Sequence, residues 1–254
     1  MTHAPSDMDA AAATPTNGRD TSFWRSHTTI ALQPVAAPSI LGLFGFAAAT
    51  FMVATNLAGW YGTTASRAIT MFALVPFAVF AGGVAQFLAG MWSYKARDGL
   101  ATAMHGIWGA FWLGDGLYLL LVAGGVLLPP TARTFELGLG YWFIVLAAIT
   151  LVGAIAALAK NIALFLVLFV LTGGATLLAI AWVTPVHWLV NPAGDVLVAS
   201  AVIAFYTASA LLLEGVYQRA MLPVGHIPMK PRAHAAQLQP IQYELGEPGV
   251  RAGQ

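Results

Sequence analysis

The sequence predicts an all-α, polytopic integral membrane protein with six transmembrane helices in a bundle. Three observations carry this. Hydrophobic residues make up 59% of the 254-residue chain and charged residues only 8%, against about 25% charged in an ordinary soluble domain. The mean hydropathy is +0.76. Six apolar stretches follow one another, each near the roughly 20 residues that cross about 30 Å of hydrocarbon as a helix, with none of the residue-by-residue alternation of a membrane barrel strand.

The stretch before the first span, residues 1–33, is rich in Ala, Thr, Ser, Asp and Pro and is predicted to be a disordered tail. Asp7 and Asp9 stand where a secretory leader would be basic. The membrane domain, 34–222, is predicted to contain spans at Pro38 to Tyr61, Ile69 to Trp92, Ala103 to Leu128, Leu137 to Leu158, Ile162 to Val183 and Ala193 to Tyr217. Turn and charge signals separate them: Gly62 to Arg67, Lys95 to Gly99, Pro129-Pro130-Thr131, Lys160-Asn161, and Thr184-Pro185 with Asn191-Pro192. Connections this short make successive helices antiparallel neighbours. Trp60, Tyr61, Trp92, Tyr94, Trp182 and Tyr217 stand at span ends as interfacial anchors. The Pro-rich polar stretch 223–254 is predicted to be a second disordered tail.

Basic residues are enriched in short cytoplasmic loops. A cytoplasmic amino terminus places Arg19, Arg25, Lys95, Arg97, Lys160, Arg219, Lys230, Arg232 and Arg251 inside and only Arg67 and Arg133 outside. Both termini are therefore expected on the cytoplasmic side of a cell membrane.

Polar groups inside spans are costly unless paired or wetted, so they face the bundle interior or a water path. Asn56, Gln86, His105, Asp115, Thr172, Thr176, Ser200, Tyr206 and Glu214 are the candidates. For Asn56, Gln86, Thr172, Thr176 and Ser200 the plain alternative is a hydrogen bond within or between helices. Tyr206 could be a packed aromatic with a partnered hydroxyl, and Glu214 a solvated end residue. His105, Trp108, Trp112 and Asp115 share one side of the third span. Asp115 then faces water or a cation, is protonated, or lies shallow enough to be hydrated. His105 is placed near the inner boundary, where it could simply be an interface residue. Ala78, Gly82, Gln86 and Gly90 recur at four-residue spacing in the second span, and Gly173-Gly174 is read as an interruption of the fifth.

Several of these segments match a known pattern. Ala37-Pro38-Ser39-Ile40-Leu41-Gly42-Leu43-Phe44-Gly45-Phe46 resembles the N-P-A-P-L-G-L-x-G-F signature of the acetate uptake transporter family, the succinate-acetate permease-like membrane proteins. Gly82 to Trp92 resembles that family's G-G-x-A-Q-x-x-A-G run, Gly109 to Leu113 its G-x-F-W-L, and Leu222 to Gly225 its final L-P-x-G. The resemblance spans Pro38 to Gly225. It implies a central pore in each protomer, a homohexamer, and passage of acetate or a related small monocarboxylate, as a channel or with protons. It further implies a pore constriction at Phe46, Trp108 and Leu171. Trp108 replaces the family's Tyr, removing a phenolic hydroxyl and adding bulk, and Ala37, Ile40, Ser93 and Leu211 also depart from the pattern.

The function expected is thus transport of a small carboxylate through the bundle, with Gln86, Trp112, Asp115, Asn56 and Tyr206 along its path. The alternative is a channel for ammonium, urea or another small neutral solute, which a pore-facing Asp115 would suit. No enzyme, cofactor or metal site is expected: there is no cysteine, only one His within a span where a haem would ordinarily need two, and no hydrolase motif. A net charge of +1 with no basic stripe gives no support to nucleic-acid binding.

Overall fold

The computed structural model describes residues 35–62, 67–127 and 132–225. The predicted tails lie outside the described residues apart from Pro223, Val224 and Gly225, and so do the turn at Pro129-Pro130-Thr131 and most of the loop before Arg67.

The described chain forms α1 (Pro38–Leu57), α2 (Arg67–Phe77), a π-helical segment (Ala78–Ala85), α3 (Gln86–Lys95), α4 (Gly99–Ala123), α5 (Ala132–Ala157), α6 (Ile162–Val183), a 3₁₀ turn (His187–Leu189) and α7 (Val190–Tyr217). Counting α2, the π segment and α3 as one span, six helices are long and apolar enough to cross a membrane, the shortest having 20 residues. No strand occurs among the described residues.

Boundaries differ from the predicted ones where side chains or Pro set them. The third span begins at Gly99 rather than Ala103, because Asp98 caps it by accepting the Ala101 N–H at 3.0 Å. Asn191 and Pro192 were expected in a loop but belong to the first turn of α7, where a Pro costs no helical hydrogen bond. Gly173-Gly174 does not interrupt its helix: α6 runs unbroken, and Gly174 instead lets Leu197 of α7 approach closely. The second span is less regular than its spacing suggested. Pro76 sits inside α2 and the π segment starts two residues later, consistent with a helix widening where an interior Pro has removed a backbone bond.

The helices close into a ring. α1 packs against α7 and against the π segment and α3, α3 packs on α4, α5 on α6, and α6 on α7, while α4 and α5 share the thinnest seam. Aromatic and polar contacts bridge that seam: Phe111 and Phe143 meet at 5.4 Å between centroids, Tyr118 and Phe135 stack at 4.6 Å, and the Trp108 indole N–H donates to Thr150 Oγ1 at 3.0 Å.

Contacts at the two ends fix the antiparallel order. At the end carrying Lys95, Arg97, Lys160 and Arg219, here the basic end, Lys160 pairs with Asp98, and the N–H groups of Ile162 and Ala163 donate to the carbonyls of Gly225 and Val224 at 2.7 and 2.9 Å. The start of the carboxy tail is thereby tied to α6. At the far end Arg133 donates to the carbonyls of Trp182 and Val183 at 2.8 and 2.6 Å, placing a cation on the negative terminus of α6. The Trp60 indole donates to Asp195 at 3.1 Å. Trp60, Tyr61, Trp92, Tyr94 and Tyr217 are exposed at span ends, as anchors should be. Trp182 is not a simple anchor, since its ring packs edge-on against Phe143 at 5.1 Å.

Candidate functional site

Phe46, Trp108 and Leu171, the three residues expected at a constriction, belong to one buried core and are 3%, 3% and 1% exposed. At about 1.5 Å per residue all three lie about 12 to 14 Å from the basic-end starts of their helices, so they share a level. Phe46 meets Trp108 edge to face with centroids 6.4 Å apart. Trp108 is fixed by its bond to Thr150, whose own hydroxyl donates to the Leu146 carbonyl at 2.6 Å. Thr150 was not singled out from sequence, because its role depends on a partner 42 residues away.

Above and below this level lies a row of buried polar atoms without a hydrogen-bond partner: Thr50 Oγ1, Asn56 Oδ1, Gln86 Oε1, His105 Nδ1 and Trp112 Nε1. Leaving such an atom dry costs about 1–3 kcal/mol, and native proteins normally satisfy it with water or a ligand. By residue rise, His105 lies about 9 Å from the basic end, Gln86 about 14 Å, Thr50 and Trp112 about 18 to 20 Å, and Asn56 about 27 Å. The row therefore runs from one side of the constriction to the other.

Glycines bring the three helices bearing this row together. A methyl at Gly82 would stand 2.7 Å from both the Ala49 side chain and the Trp112 ring, and one at Gly45 would stand 2.5 Å from the Ala81 carbonyl oxygen. Gly42 of α1 and Gly90 of α3 likewise lie against His105. The four-residue repeat of the second span thus serves close approach.

Two cavities lie at different depths, one between α1, α4, α6 and α7 at the basic end and one between α1, α2, the π segment and α4 farther along. At the basic end a vestibule of about 130 Å³ is lined by Ser39, Asp98, His105, Lys160, Asn161 and Thr207 together with apolar residues. Burial alone would raise the Asp98 carboxyl, but the Ala101 N–H and the Lys160 ammonium outweigh it and hold the group below the ordinary carboxylate range. Asn161 caps α6 by accepting the Leu164 N–H at 2.8 Å. On the far side a water-sized cavity of about 20 Å³ is bounded by Trp112, Asp115 and Gly116 with apolar neighbours. Asp115 has no ion-pair partner among the described residues.

The remaining candidates separate clearly. Asn56 donates to the Tyr61 carbonyl at 3.3 Å while its oxygen stays unpartnered. Thr172 and Thr176 bond their own helix, and Ser200 donates to the Val167 carbonyl at 2.9 Å. Glu214 is exposed. Tyr206 stands apart from the row: its hydroxyl donates to the Pro223 carbonyl at 2.7 Å, tying α7 to the chain that follows it. His105 is only 6% exposed, packed inside the bundle in the second turn of α4. Its depth was underestimated because Asp98 starts the helix four residues earlier than expected. Thr50 was missed because a lone helical Thr carries no sequence signal.

The sequence matches the pattern of the GPR1/FUN34/yaaH family over residues 22–229. The chain belongs to this family. It is 27% identical over 191 residues to the succinate-acetate/proton symporter SatP of Escherichia coli K12, an alignment covering 75% of this chain and 96% of that protein. Acetate permease A of Emericella nidulans is 26% identical over 225 residues, 82% of this chain and 72% of the permease. Ammonia transport outward protein 2 of Saccharomyces cerevisiae is 29% identical over 177 residues, 69% of this chain and 61% of that protein. Among solved structures, the bacterial acetate channel SatP superposes with a TM-score of 0.66 at 27% identity, covering 76% of this chain and all of that one. Family membership agrees with the motif resemblance in α1, α3 and α4, and the chain is a multi-pass membrane protein of this fold.

Proposed function

We propose that this chain is a membrane transporter or channel for acetate or a related small monocarboxylate, its path running through the bundle of one protomer past Phe46, Trp108 and Leu171. The observation that carries this is the row of unpartnered polar atoms crossing the level of the constriction. A static packing role leaves such atoms unsatisfied, whereas a passing hydrated solute satisfies them in turn. Gln86, at the constriction level, offers an amide to a carboxyl group. No Lys or Arg lies deep within a described span, so a carboxylate would be held weakly, as fast passage requires. The names of SatP and acetate permease A support the substrate class.

Two finer statements belong to the same proposal. Crossing as the protonated acid avoids moving a bare charge through the Phe46–Trp108 level, which favours proton coupling. The basic end is placed in the cytoplasm by its lysines and arginines, and assembly as a homohexamer follows from the motif resemblance. We infer a transport protein and not an enzyme.

A second reading has its own observation. Asp115 beside Trp112 in the far cavity repels carboxylates and attracts cations, and one relative is named for ammonia transport. Flux into liposomes holding the purified protein, with inner and outer pH set independently, separates the two. Saturable acetate uptake that grows with an inward proton gradient is the expected result. Vesicles blind to acetate but permeable to ammonium or urea would replace the carboxylate reading by the second.

A further inference from the structure

The vestibule at the basic end holds a combination that neither packing nor the constriction accounts for. His105 is 6% exposed, lines the cavity, and its Nδ1 has no hydrogen-bond partner. The same cavity holds the Asp98–Lys160 pair, whose side chains are 20% and 39% exposed, so its mouth opens to solvent. The space, about 130 Å³, is several times the about 10–15 Å³ that admits one water. It thus accommodates a solute of a few heavy atoms. Its lining is largely apolar and carries an imidazole, an amide and the paired Lys160 ammonium and Asp98 carboxylate, a set that suits a small carboxylic acid with a short apolar tail.

We propose that this vestibule is the site where the permeating small carboxylic acid gives up its proton, to His105, while Lys160 receives the charge of the resulting carboxylate. The proposal rests on the acetate-class reading above. The step balances simply. The acid O–H bond breaks, its electron pair stays on the carboxylate oxygen, and the proton bonds to the free ring nitrogen of His105. Water at the open mouth then removes that proton, restoring neutral imidazole for the next acid.

The surrounding charges suit this order. Asp98 and Lys160 are the charged groups lining the cavity with His105. From α1, α3 and α7 the residues facing it or its cavity include Gly42, Leu43, Gly90, Thr207 and Leu211, and α6 supplies Leu164 and Leu168, none of which titrates near neutrality. A proton on His105 is favoured by the Asp98 carboxylate and opposed by the Lys160 ammonium. A carboxylate arriving at Lys160 weakens that opposition, so substrate release and proton acceptance assist one another. Asp98 stays ionised above pH 5, because its carboxyl is held below the ordinary range. It therefore supplies no switch between pH 5 and 8.

The test compares wild type with His105→Gln and His105→Phe in liposomes, across the acid range as well as neutral pH at the basic end, with the concentration of undissociated acetic acid held constant. Wild-type flux is expected to show a single-proton step in this range. Both variants should lose the step. Lys160→Gln should keep the step and raise half-saturation for acetate several-fold. An unchanged step in folded His105→Gln would overturn the proposal.

Ring nitrogen NMR of wild-type protein, with acetate as the ligand, decides the matter even if the variants fail to fold. Acetic acid is expected to move a buried histidine signal toward the imidazolium form, and absence of any such movement overturns the assignment. A shift without flux would keep the vestibule site and sink the transport reading. Flux without a shift would do the reverse.

Discussion

The two sides of the Phe46–Trp108–Leu171 level are built differently. On the basic side the charged and amide groups Asp98, Lys160 and Asn161 are partnered with each other or with helix ends, His105 alone among the cavity's described lining residues keeps a buried atom unpartnered, and the space between them is about 130 Å³. On the far side Thr50, Trp112 and Asn56 each leave a buried atom without a partner, and Asp115 bounds a cavity of only about 20 Å³. Pre-paired charge around an open space makes a mouth that is wet at rest. Unpaired groups near a water-sized space suit a passage that gains its partners only when a solute or water file is present. On the proposed function, the difference assigns the two halves separate tasks, discharge at one end and selection at the other.

Truncating the divide itself should have the largest effect. Trp108→Ala is expected to raise flux of solutes larger than acetate, such as lactate, at least about tenfold in liposomes. It should also lower stability, since removing a buried aromatic commonly costs about 3–5 kcal/mol. Thr150→Val comes next. It leaves the Trp108 indole N–H without its acceptor, a loss of about 1–3 kcal/mol, and should lower the melting temperature and alter acetate flux several-fold through a loosened ring. On the far side, Asp115→Asn removes the carboxylate that bounds the far cavity and is expected to raise acetate flux about two- to threefold while weakening any ammonium block of it. An unchanged ion preference would remove Asp115 from the path.

The smallest effect should come from Asp98→Asn. The pair it breaks is partly solvent-exposed and is worth under about 1 kcal/mol after screening. The Asp98 carboxyl is depressed in the folded protein. Its contribution is therefore complete above the unfolded carboxylate pKa of about 3.9 and disappears only as pH falls through the lower folded value. The difference in melting temperature between wild type and variant should stay flat from pH 8 to 5 and shrink below pH 4.

Fold class and span number were legible because a chain this apolar has few ways to satisfy its backbone in lipid. The fifth span was read to the residue, since Asn161 caps it and Thr184-Pro185 ends it. The third span was shifted because Asp98 looked like loop charge, although its carboxylate is the cap. The π segment escaped notice because hydropathy does not record which carbonyl an N–H reaches, and Pro76 was the available hint. At the candidate site, Gln86, Trp112 and Asn56 could be named because aromatic and amide groups are conspicuous in apolar helices, whereas Phe46, Leu171 and the place of Trp108 beside them came from the motif resemblance. Their companions went unnamed. Thr150 and Thr50 are ordinary helix residues whose meaning lies in contacts made or missing across the bundle. Tyr206 looked like a pore residue, yet its hydroxyl reaches a carbonyl just 17 residues on.

That solute passes through the protomer at the level of Phe46, Trp108 and Leu171 is tested most directly by plugging it. Leu171→Phe adds bulk where the side chain is 1% exposed. Labelled acetate uptake into liposomes should fall at least about tenfold, in protein whose elution profile and melting temperature match wild type. Undiminished uptake in such a folded variant would mean that acetate does not cross at this level.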